Sequence, residues 1–250
     1  LQLQTSSDTS PLSTLNLDVR DMRTRESYRS LCASLLLSKA EKPASCILIT
    51  SAIPREGKTT TSANLGVTLA ETGAPTLLID SDFRNPSLSG RFGAVNGKGL
   101  SVHLAGGEID IRETELPNLY ILPAGPTPPN PVALFTASRF SETLARLRQR
   151  FQFILIDSPP VLSLAESSII ASKVDGVILV VKAADTPTEI VTRANTQLIR
   201  SGACVLGAAV NHLDLRHPEY SYFSKYYFDE RYADPPSGQR NDASSEVATQ

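Results

Sequence analysis

The sequence predicts a doubly wound α/β fold, in which a mostly parallel β-sheet is covered by helices on both faces. Six short apolar runs recur along the chain, and most of them are separated by stretches with helical periodicity. The runs are apolar at consecutive positions, so each is expected to be a strand buried on both faces. The composition agrees, since 41% of the 250 residues are hydrophobic and 20% are charged, as in ordinary globular domains.

Residues 1–20 are polar and show no periodicity, which predicts a flexible N-terminal arm. A helix is predicted to follow over residues 24–40, because Tyr28, Leu31 and Leu35 recur at helical spacing. The predicted strands are CILIT (46–50), TLLID (76–80), LYIL (119–122), FILID (153–157), GVILVV (176–181) and CVLGAAV (204–210). Further helices are predicted over 58–72, 138–150 and 187–201, joined to the strands by right-handed crossovers. The predicted domain spans 21–215, followed by a tyrosine-rich tail (216–234) and a disordered C-terminus (235–250).

Charge and cysteine content narrow the class of protein. The net charge is -2, which gives no electrostatic footprint for nucleic-acid binding. Three scattered cysteines, Cys32, Cys46 and Cys204, predict reduced thiols in a cytosolic setting and neither a zinc site nor a disulfide framework. No run approaches the roughly 20 apolar residues that span a bilayer. Because the chain begins at Leu1, we treat it as a fragment that an upstream membrane anchor could precede.

A phosphate-binding loop is predicted where the first strand meets the next helix. The stretch SAIPREGKTT (51–60) follows CILIT and opens a helical pattern, which is the context that such a loop requires. Gly57 allows close approach of the backbone to phosphate, Lys58 would reach the β- and γ-phosphates, and Thr59 would bind Mg²⁺. The predicted nucleotide-binding residues are Glu56, Gly57, Lys58, Thr59 and Thr60. The alternative is a simple helix cap with an exposed lysine.

Three aspartates at strand ends favour the nucleotide site over that alternative. TLLIDSD ends a buried strand with Asp80 and Asp82, and FILID ends another with Asp157. A single aspartate at such a place is usually a turn or cap residue. Three carboxylates at the same sheet edge as a GKT loop are the oxygen ligands that Mg²⁺ requires beside a nucleotide. The sequence therefore predicts a site for a nucleotide with Mg²⁺.

The C-terminal segment supplies candidate acceptors for a phosphoryl group. Five of the seven tyrosines fall within YSYFSKYYFDERY: Tyr220, Tyr222, Tyr226, Tyr227 and Tyr232. One alternative is an aromatic segment that docks on a partner or on the domain itself. A tyrosine hydroxyl is a poor nucleophile at neutral pH, so phosphoryl transfer would need a base to take its proton. Either Asp80 or Asp82 could be that base.

These motifs together resemble the cytoplasmic catalytic domain of the bacterial tyrosine kinases (BY-kinases) of capsule and exopolysaccharide export. That family combines a modified P-loop, a DxDxR strand motif, a Walker B strand and a C-terminal tyrosine cluster. The corresponding stretches here are SAIPREGKTT, LLIDSDFRNP, FILIDSPPVL and YSYFSKYYFDERY, and the resemblance runs from about residue 24 to residue 232. The fold it implies is P-loop NTPase-like.

The resemblance implies a protein-tyrosine autokinase that uses ATP and Mg²⁺ and regulates polymer synthesis and export. Its catalytic residues would be Lys58, Asp80, Asp82 and Asp157, and its metal ligands Thr59 with the same three aspartates. Its phosphoacceptors would be the five tail tyrosines. It also implies a membrane-embedded polysaccharide co-polymerase segment, fused upstream or separate, a cognate tyrosine phosphatase, and a location at the cytoplasmic face of the bacterial membrane.

Two departures from the family pattern bear on activity. The family loop commonly reads PGEGK, so Arg55 replaces a glycine, which costs stability if that position needs a positive φ. The family's ring-forming ExxRxxR motif is represented here by Glu26, Arg29 and Cys32, which are expected to share one helix face. Replacement of the second arginine by Cys32 argues against self-association into a ring.

Two other functions fit parts of the sequence. An ATP-binding scaffold of the export machinery, with weak or absent kinase activity, is favoured by Arg55 and Cys32. A partition or septum-positioning ATPase shares the sheet and the paired motifs. Proteins of that class usually carry an additional lysine early in the loop, where this chain has Ser51, Ala52 and Ile53.

Overall fold

The computed structural model describes residues 22–37, 44–94 and 97–213. The predicted N-terminal arm (1–20), tyrosine-rich tail (216–234) and C-terminus (235–250) lie outside the described residues. The five predicted phosphoacceptors, Tyr220, Tyr222, Tyr226, Tyr227 and Tyr232, lie outside them as well. The chain divides into two units, 1–213 and 214–250, and every described residue belongs to the first.

Seven strands form one sheet, and the predicted strands are all present. They are β1 (Cys46–Ser51), β2 (Thr76–Asp80), β3 (Arg112–Glu113), β4 (Leu119–Leu122), β5 (Phe153–Asp157), β6 (Gly176–Lys182) and β7 (Val205–Asn211). Their order is β3-β4-β2-β5-β1-β6-β7, and all neighbours are parallel except β3 and β4. The sequence missed β3, because two residues are too few to show a pattern. The mostly parallel sheet is confirmed.

Eight helices occur among the described residues: α1 (Met22–Leu36), α2 (Lys58–Glu71), α3 (Ser87–Arg91), α4 (Leu100–Leu104), α5 (Pro131–Thr136), α6 (Ser138–Leu147), α7 (Ala165–Ala171) and α8 (Thr188–Arg200). The long helices α1, α2, α6 and α8 confirm the helical predictions within a few residues, except that α1 ends before residue 40. The short ones were not predicted, since fewer than two turns give little periodicity. None of the described helices has the length and apolarity needed to cross a membrane.

The central strands of the sheet are covered on both faces, as their apolar sequences predicted. The prediction of two-sided burial is wrong for β7, an edge strand in which Leu206 and Val210 are 38% and 60% exposed. Successive residues of β1 alternate between two core clusters: Cys46 and Leu48 belong to one, and Ile47 and Ile49 to the other. All four side chains are fully buried. Complete burial of such a side chain contributes roughly 1.5–3 kcal/mol, so two-sided burial of the central strands is the main source of stability.

The first helix corrects one prediction about its faces. Cys32 is buried in the core with Leu35, whereas Glu26 and Arg29 lie exposed and pair with each other at 3.6 Å. The prediction that positions 26, 29 and 32 share one face is therefore wrong, because a three-residue step turns a helix by about 300° and the offset from a full turn accumulates. In this chain, position 32 is a packing position.

A polar clamp holds the opposite edge of the sheet, where β1 and β6 begin. The carboxylate of Asp175 accepts hydrogen bonds from the backbone N–H groups of Ser45 (3.0 Å) and Cys46 (2.8 Å). The guanidinium of Arg148 donates to the same oxygen at 2.6 Å. Asp175 thus joins the chain entering β1 to the C-terminal end of α6.

Candidate active site

The loop between β1 and α2 has a conformation that leaves backbone amides free. Gly57 caps α2 with φ 91° and ψ 17°, in the left-handed region that glycine occupies without strain. A Cβ at this position would lie 1.9 Å from the Asn211 side-chain nitrogen, so a larger residue would displace that amide from its bond to the Glu56 carbonyl. The first backbone bond of the helix runs from Thr61 N to Gly57 O. The amides of residues 58–60 precede it, so they face the start of the helix, where anions bind.

The side chain of Glu56 fastens the loop to the sheet. Its carboxylate accepts from Ile53 N at 2.8 Å, from Lys182 N at 3.3 Å and from the Thr186 hydroxyl at 2.5 Å. The Asn211 amide donates to the Glu56 backbone carbonyl at 3.1 Å. Both carboxylate oxygens of Glu56 already accept hydrogen bonds, and only 1% of the residue's surface is exposed. The Glu56 side chain is therefore not available to a nucleotide. The prediction that Glu56 binds nucleotide is thereby restricted to its main chain.

Arg55 lies two residues before Gly57 in the same loop and has a backbone conformation that is unfavourable for a residue with a Cβ. Its φ is 68°, in the left-handed region where a Cβ crowds the following carbonyl. Arginine was predicted to cost stability here if the position needs a positive φ, and position 55 does have a positive φ. The side chain is exposed.

Lys58 and Asp82 meet where β1 and β2 end. The Lys58 Nζ lies 3.4 Å from Asp82 Oδ2, and both side chains are nearly buried. The other oxygen of Asp82 accepts from Asn85 N at 3.0 Å. This pair holds the lysine at the start of α2, next to the free amides, where the sequence places the β- and γ-phosphates.

Thr59 and Asp157 form a second contact at the end of β5. The Thr59 hydroxyl donates to Asp157 Oδ2 at 2.8 Å and lies 2.9 Å from the Ser87 hydroxyl. Ser62 donates to the other oxygen of Asp157 at 3.1 Å. Asp157 is fully buried, so these hydroxyls stabilise a carboxylate that water does not reach.

Asp80 lies directly opposite Asp157 in the pairing of β2 with β5. Ser89 donates its backbone N–H and its hydroxyl to Asp80 Oδ2, each at 2.7 Å, and Asp82 N donates to Oδ1 at 3.2 Å. The Ser89 hydroxyl in turn accepts from Ala124 N at 3.0 Å. Sequence reasoning missed Ser87 and Ser89. The stretch RNPSLS (84–89), just beyond Asp82, was the available signal.

The site carries an excess of buried negative charge. Burial raises the pKa of Asp80 to about 7, with a further increase from the charge of Asp157. Burial also raises the pKa of Asp157 to about 6, against the opposing effects of Lys58, Thr59 and Ser62. The three carboxylates face a single lysine, so a divalent cation would neutralise them.

The oxygen donors at this edge fit Mg²⁺. Aspartate carboxylates and a threonine hydroxyl are the ligand types that this ion takes beside nucleotides, where water and phosphate complete its shell. Within residues 22–37, 44–94 and 97–213, no three acidic, histidine or cysteine side chains surround one point as a closed metal site would require. The described residues thus bring together the predicted site residues Gly57, Lys58, Thr59, Thr60, Asp80, Asp82 and Asp157.

Known proteins are similar to this chain in sequence and in fold. The family model for the AAA domain matches residues 55–196. The tyrosine-protein kinase CpsD of Streptococcus agalactiae is 36% identical over 209 residues, which are 82% of this chain and 90% of that protein. The solved VpsO kinase domain is 36% identical, with a TM-score of 0.71 over 79% of this chain and 98% of its own. The septum site-determining protein MinD of Pyrococcus horikoshii OT3, complexed with Mg-ADP, is 30% identical, with a TM-score of 0.55 over 66% of this chain and 68% of its own.

The two kinases cover more of the chain than the septum-site protein, and the VpsO domain superposes better, which disfavours the partition or septum-positioning alternative. The domain model covers more than half of the chain. Lys58, Thr59 and the three strand-end aspartates all lie within residues 55–196, which the domain model matches. The chain belongs to the family of bacterial tyrosine-protein kinases.

Proposed function

We propose that this protein is an ATP-dependent protein-tyrosine autokinase whose acceptors are Tyr220, Tyr222, Tyr226, Tyr227 and Tyr232. The observation that carries the proposal is the convergence of Lys58, Thr59, Asp82 and Asp157 beside free helix amides at one sheet edge. Phosphoryl transfer requires phosphate positioning, charge neutralisation and a base more than it requires covalent chemistry. This edge supplies a group for each of the three.

Each group has a proposed task. The amides of residues 58–60 and the Lys58 ammonium hold the phosphates of ATP, while Thr59 and Asp157 hold Mg²⁺. Bound Mg²⁺ would neutralise charge on the β- and γ-phosphates. The acceptor oxygen of a tyrosine bonds to the γ-phosphorus as the bond from that phosphorus to the β–γ bridging oxygen breaks. ADP leaves, and the phenol proton passes to a carboxylate.

We assign that base to Asp82 and a supporting role in metal binding to Asp80. Asp82 contacts Lys58 and therefore lies beside the phosphates. Asp80 is fully buried, and one of its oxygens already accepts two bonds from Ser89. A carboxylate that takes the tyrosine proton must lie next to the transferred phosphate, and Asp82 meets this condition through its contact with Lys58.

The biological setting is inferred from the family resemblance. The proposed partners are a membrane-embedded polysaccharide co-polymerase segment, fused upstream or separate, and a cognate tyrosine phosphatase. The kinase would act at the cytoplasmic face of the membrane, where its phosphorylation state regulates exopolysaccharide or capsule export. Transfer between chains would require self-association. A ring would lack the second arginine of the family motif, since Cys32 stands at that position and is buried.

The test is mass spectrometry of the purified protein after incubation with MgATP. Wild type is expected to carry phosphate on the tail tyrosines. Lys58→Met is expected to carry none, because the phosphates of ATP would lose the ammonium group that holds them. Asp82→Asn should keep nucleotide affinity and lose transfer, since its change removes the base. Incubating Lys58→Met with active wild type then shows whether transfer occurs between chains.

Unmodified tyrosines in a wild type that binds MgATP would overturn the kinase proposal. They would favour the ATP-binding scaffold, for which Arg55 and Cys32 are the sequence signals. Replacement of the five tyrosines by phenylalanine provides the control, because it should abolish labelling without affecting nucleotide binding.

A further inference from the structure

We infer that Arg91 is a second cationic phosphate-binding residue of the nucleotide site, one that sequence reasoning did not identify. This inference rests on the proposed nucleotide binding. Arg91 is the last residue of α3 and is exposed. Its guanidinium NH2 donates to the Thr60 hydroxyl at 2.8 Å. Thr60 is the third residue of α2, and its amide is among those that precede the first helical hydrogen bond.

The position of Arg91 is set by the turn after Asp82. Residues 81–86 lead from the end of β2 to α3, and Ser89 joins α3 to Asp80. Ser87, at the start of the same helix, lies 2.9 Å from the Thr59 hydroxyl. The helix is therefore attached to the site at its beginning and its middle, and Arg91 extends from its end to the first turn of α2. These attachments place the guanidinium at the rim of the phosphate loop.

The hydrogen bond from Arg91 to Thr60 leaves the positive charge of Arg91 available to bind an anion. Arginines 25, 29, 84, 112 and 148 each pair with a carboxylate. Across the part of the chain that the structure describes, Arg91 contacts no carboxylate and bonds only to a neutral hydroxyl. A guanidinium has five donors, so one bond to Thr60 leaves others for an anion. Bidentate recognition of phosphate is the geometry for which arginine is suited.

The charge balance of the site gives this cation a role. The site contains three buried carboxylates, Asp80, Asp82 and Asp157, and the nearby Lys58 is already paired with one of them. A nucleotide with its phosphates brings further negative charge to the same edge. One lysine and one divalent ion leave this total uncompensated, and an unpaired guanidinium beside the loop reduces the excess.

Arg91 acts on a different part of the nucleotide from Lys58. Lysine in a phosphate loop reaches the β- and γ-phosphates, whereas the loop amides cradle the α- and β-phosphates. Since Arg91 lies next to Thr60, two residues into the helix, its proposed contact is on the α/β side. Its contribution should therefore be present for ADP as well as for ATP.

An alternative account assigns Arg91 to helix stability alone. A basic residue in the last turn interacts favourably with the helix dipole, and Arg91 ends the five-residue α3. That account predicts a change in thermal stability without nucleotide and no change in nucleotide affinity. The two accounts therefore differ in a measurable quantity.

The experiment is calorimetric titration of MgADP into the full chain carrying Arg91→Gln, Arg91→Lys or the control Arg193→Gln. Arg193 is an exposed arginine of α8, so its replacement removes the same charge at a distance from the loop. Arg91→Gln should weaken MgADP binding about ten-fold, as loss of a charged hydrogen bond to phosphate does. Arg91→Lys should recover part of the loss, and Arg193→Gln should match wild type.

The melting temperature without nucleotide is recorded for each variant. If Arg91→Gln binds MgADP within two-fold of wild type, the inference is wrong while the nucleotide site stands. If Arg193→Gln weakens binding as much as Arg91→Gln, the effect is one of general charge and the inference is also wrong. Absence of MgADP binding by wild type would overturn the proposed function together with the inference.

Discussion

Single residues at this site carry two separate requirements, one on backbone conformation and one on side-chain chemistry. Gly57 meets the first, since a Cβ would be strained at its φ of 91° and would displace the Asn211 amide. Lys58, Thr59 and Asp157 meet the second through direct contacts. Arg55 violates the first requirement, because an L-residue at φ 68° is strained. Strained residues of this kind concentrate at functional loops.

The strain at Arg55 predicts that Arg55→Gly stabilises the protein. Glycine adopts a positive φ without steric cost, and the expected gain in the free energy of unfolding is about 1 kcal/mol. Urea denaturation measures it. Arg55→Ala is the matched control, because it removes the guanidinium while retaining the Cβ, and it should leave stability within about 0.5 kcal/mol. An equal gain in both variants would show that the side chain, and not the backbone, is responsible.

The site residues lie near the ends of strands, at the start of α2 and in the short helix α3. Each of β1, β2 and β5 is fully buried and terminates at the same edge of the sheet, which brings Lys58, Asp82 and Asp157 together. Short α3 then supplies Ser87, Ser89 and Arg91 to that edge. At the opposite edge, Asp175 joins the beginnings of β1 and β6.

The Asp175 clamp predicts a specific loss of stability in acid. Burial raises the pKa of Asp175. The hydrogen bonds from Arg148 and from the amides of Cys46 and Ser45 outweigh this effect and bring the pKa down to about 2. Because the folded pKa lies below the unfolded value near 3.9, the stabilisation is complete above about pH 4 and is lost as the pH falls towards 2. Because the Asp175 side chain is partly exposed, we expect it to contribute about 1–2 kcal/mol to the free energy of unfolding.

Denaturation of wild type and Asp175→Asn between pH 2 and 7 measures this contribution. The difference in unfolding free energy should be constant above pH 5 and should shrink below pH 4. Asp185→Asn is a control at an exposed aspartate, whose replacement should give a small difference. A difference between wild type and Asp175→Asn that stays constant down to pH 2 would contradict the clamp.

Over the whole molecule, the two-sided core determines which chemical groups solvent can reach. Cys46 is fully buried in one cluster, and Cys32 is buried in the other, while Cys204 is exposed. Burial raises the pKa of the Cys46 thiol to about 12 and also raises that of Cys32. A thiol reacts as its thiolate, so the fold protects two of the three.

We therefore expect one fast-reacting thiol in the native protein and three after denaturation. Titration with a disulfide reagent, followed by absorbance, counts them. Cys204→Ser should abolish the fast phase without reducing the total by more than one thiol. Two or more fast thiols in the native protein would show that one of the buried cysteines is accessible.

Most of the fold could be predicted because its signals are local. Continuous apolar runs identified six of the seven strands, and three predicted helices lie over α2, α6 and α8. The elements that were missed, β3 and the five- to seven-residue helices, are too short for periodicity to appear. The position of Cys32 was misjudged for a related reason, since spacing alone does not show which side of α1 meets the core.

The phosphate loop, the three strand-end aspartates and the mostly parallel sheet could be predicted from the sequence alone, because each depends on neighbouring residues or on the common edge of parallel strands. The contacts of the Glu56 carboxylate with Lys182 and Thr186, of Ser89 with Asp80, and of Arg91 with Thr60 become visible only in the folded chain. These contacts join residues 9 to 130 positions apart. Their partners are selected by how the helices pack on the sheet, and no local pattern in the chain encodes that choice.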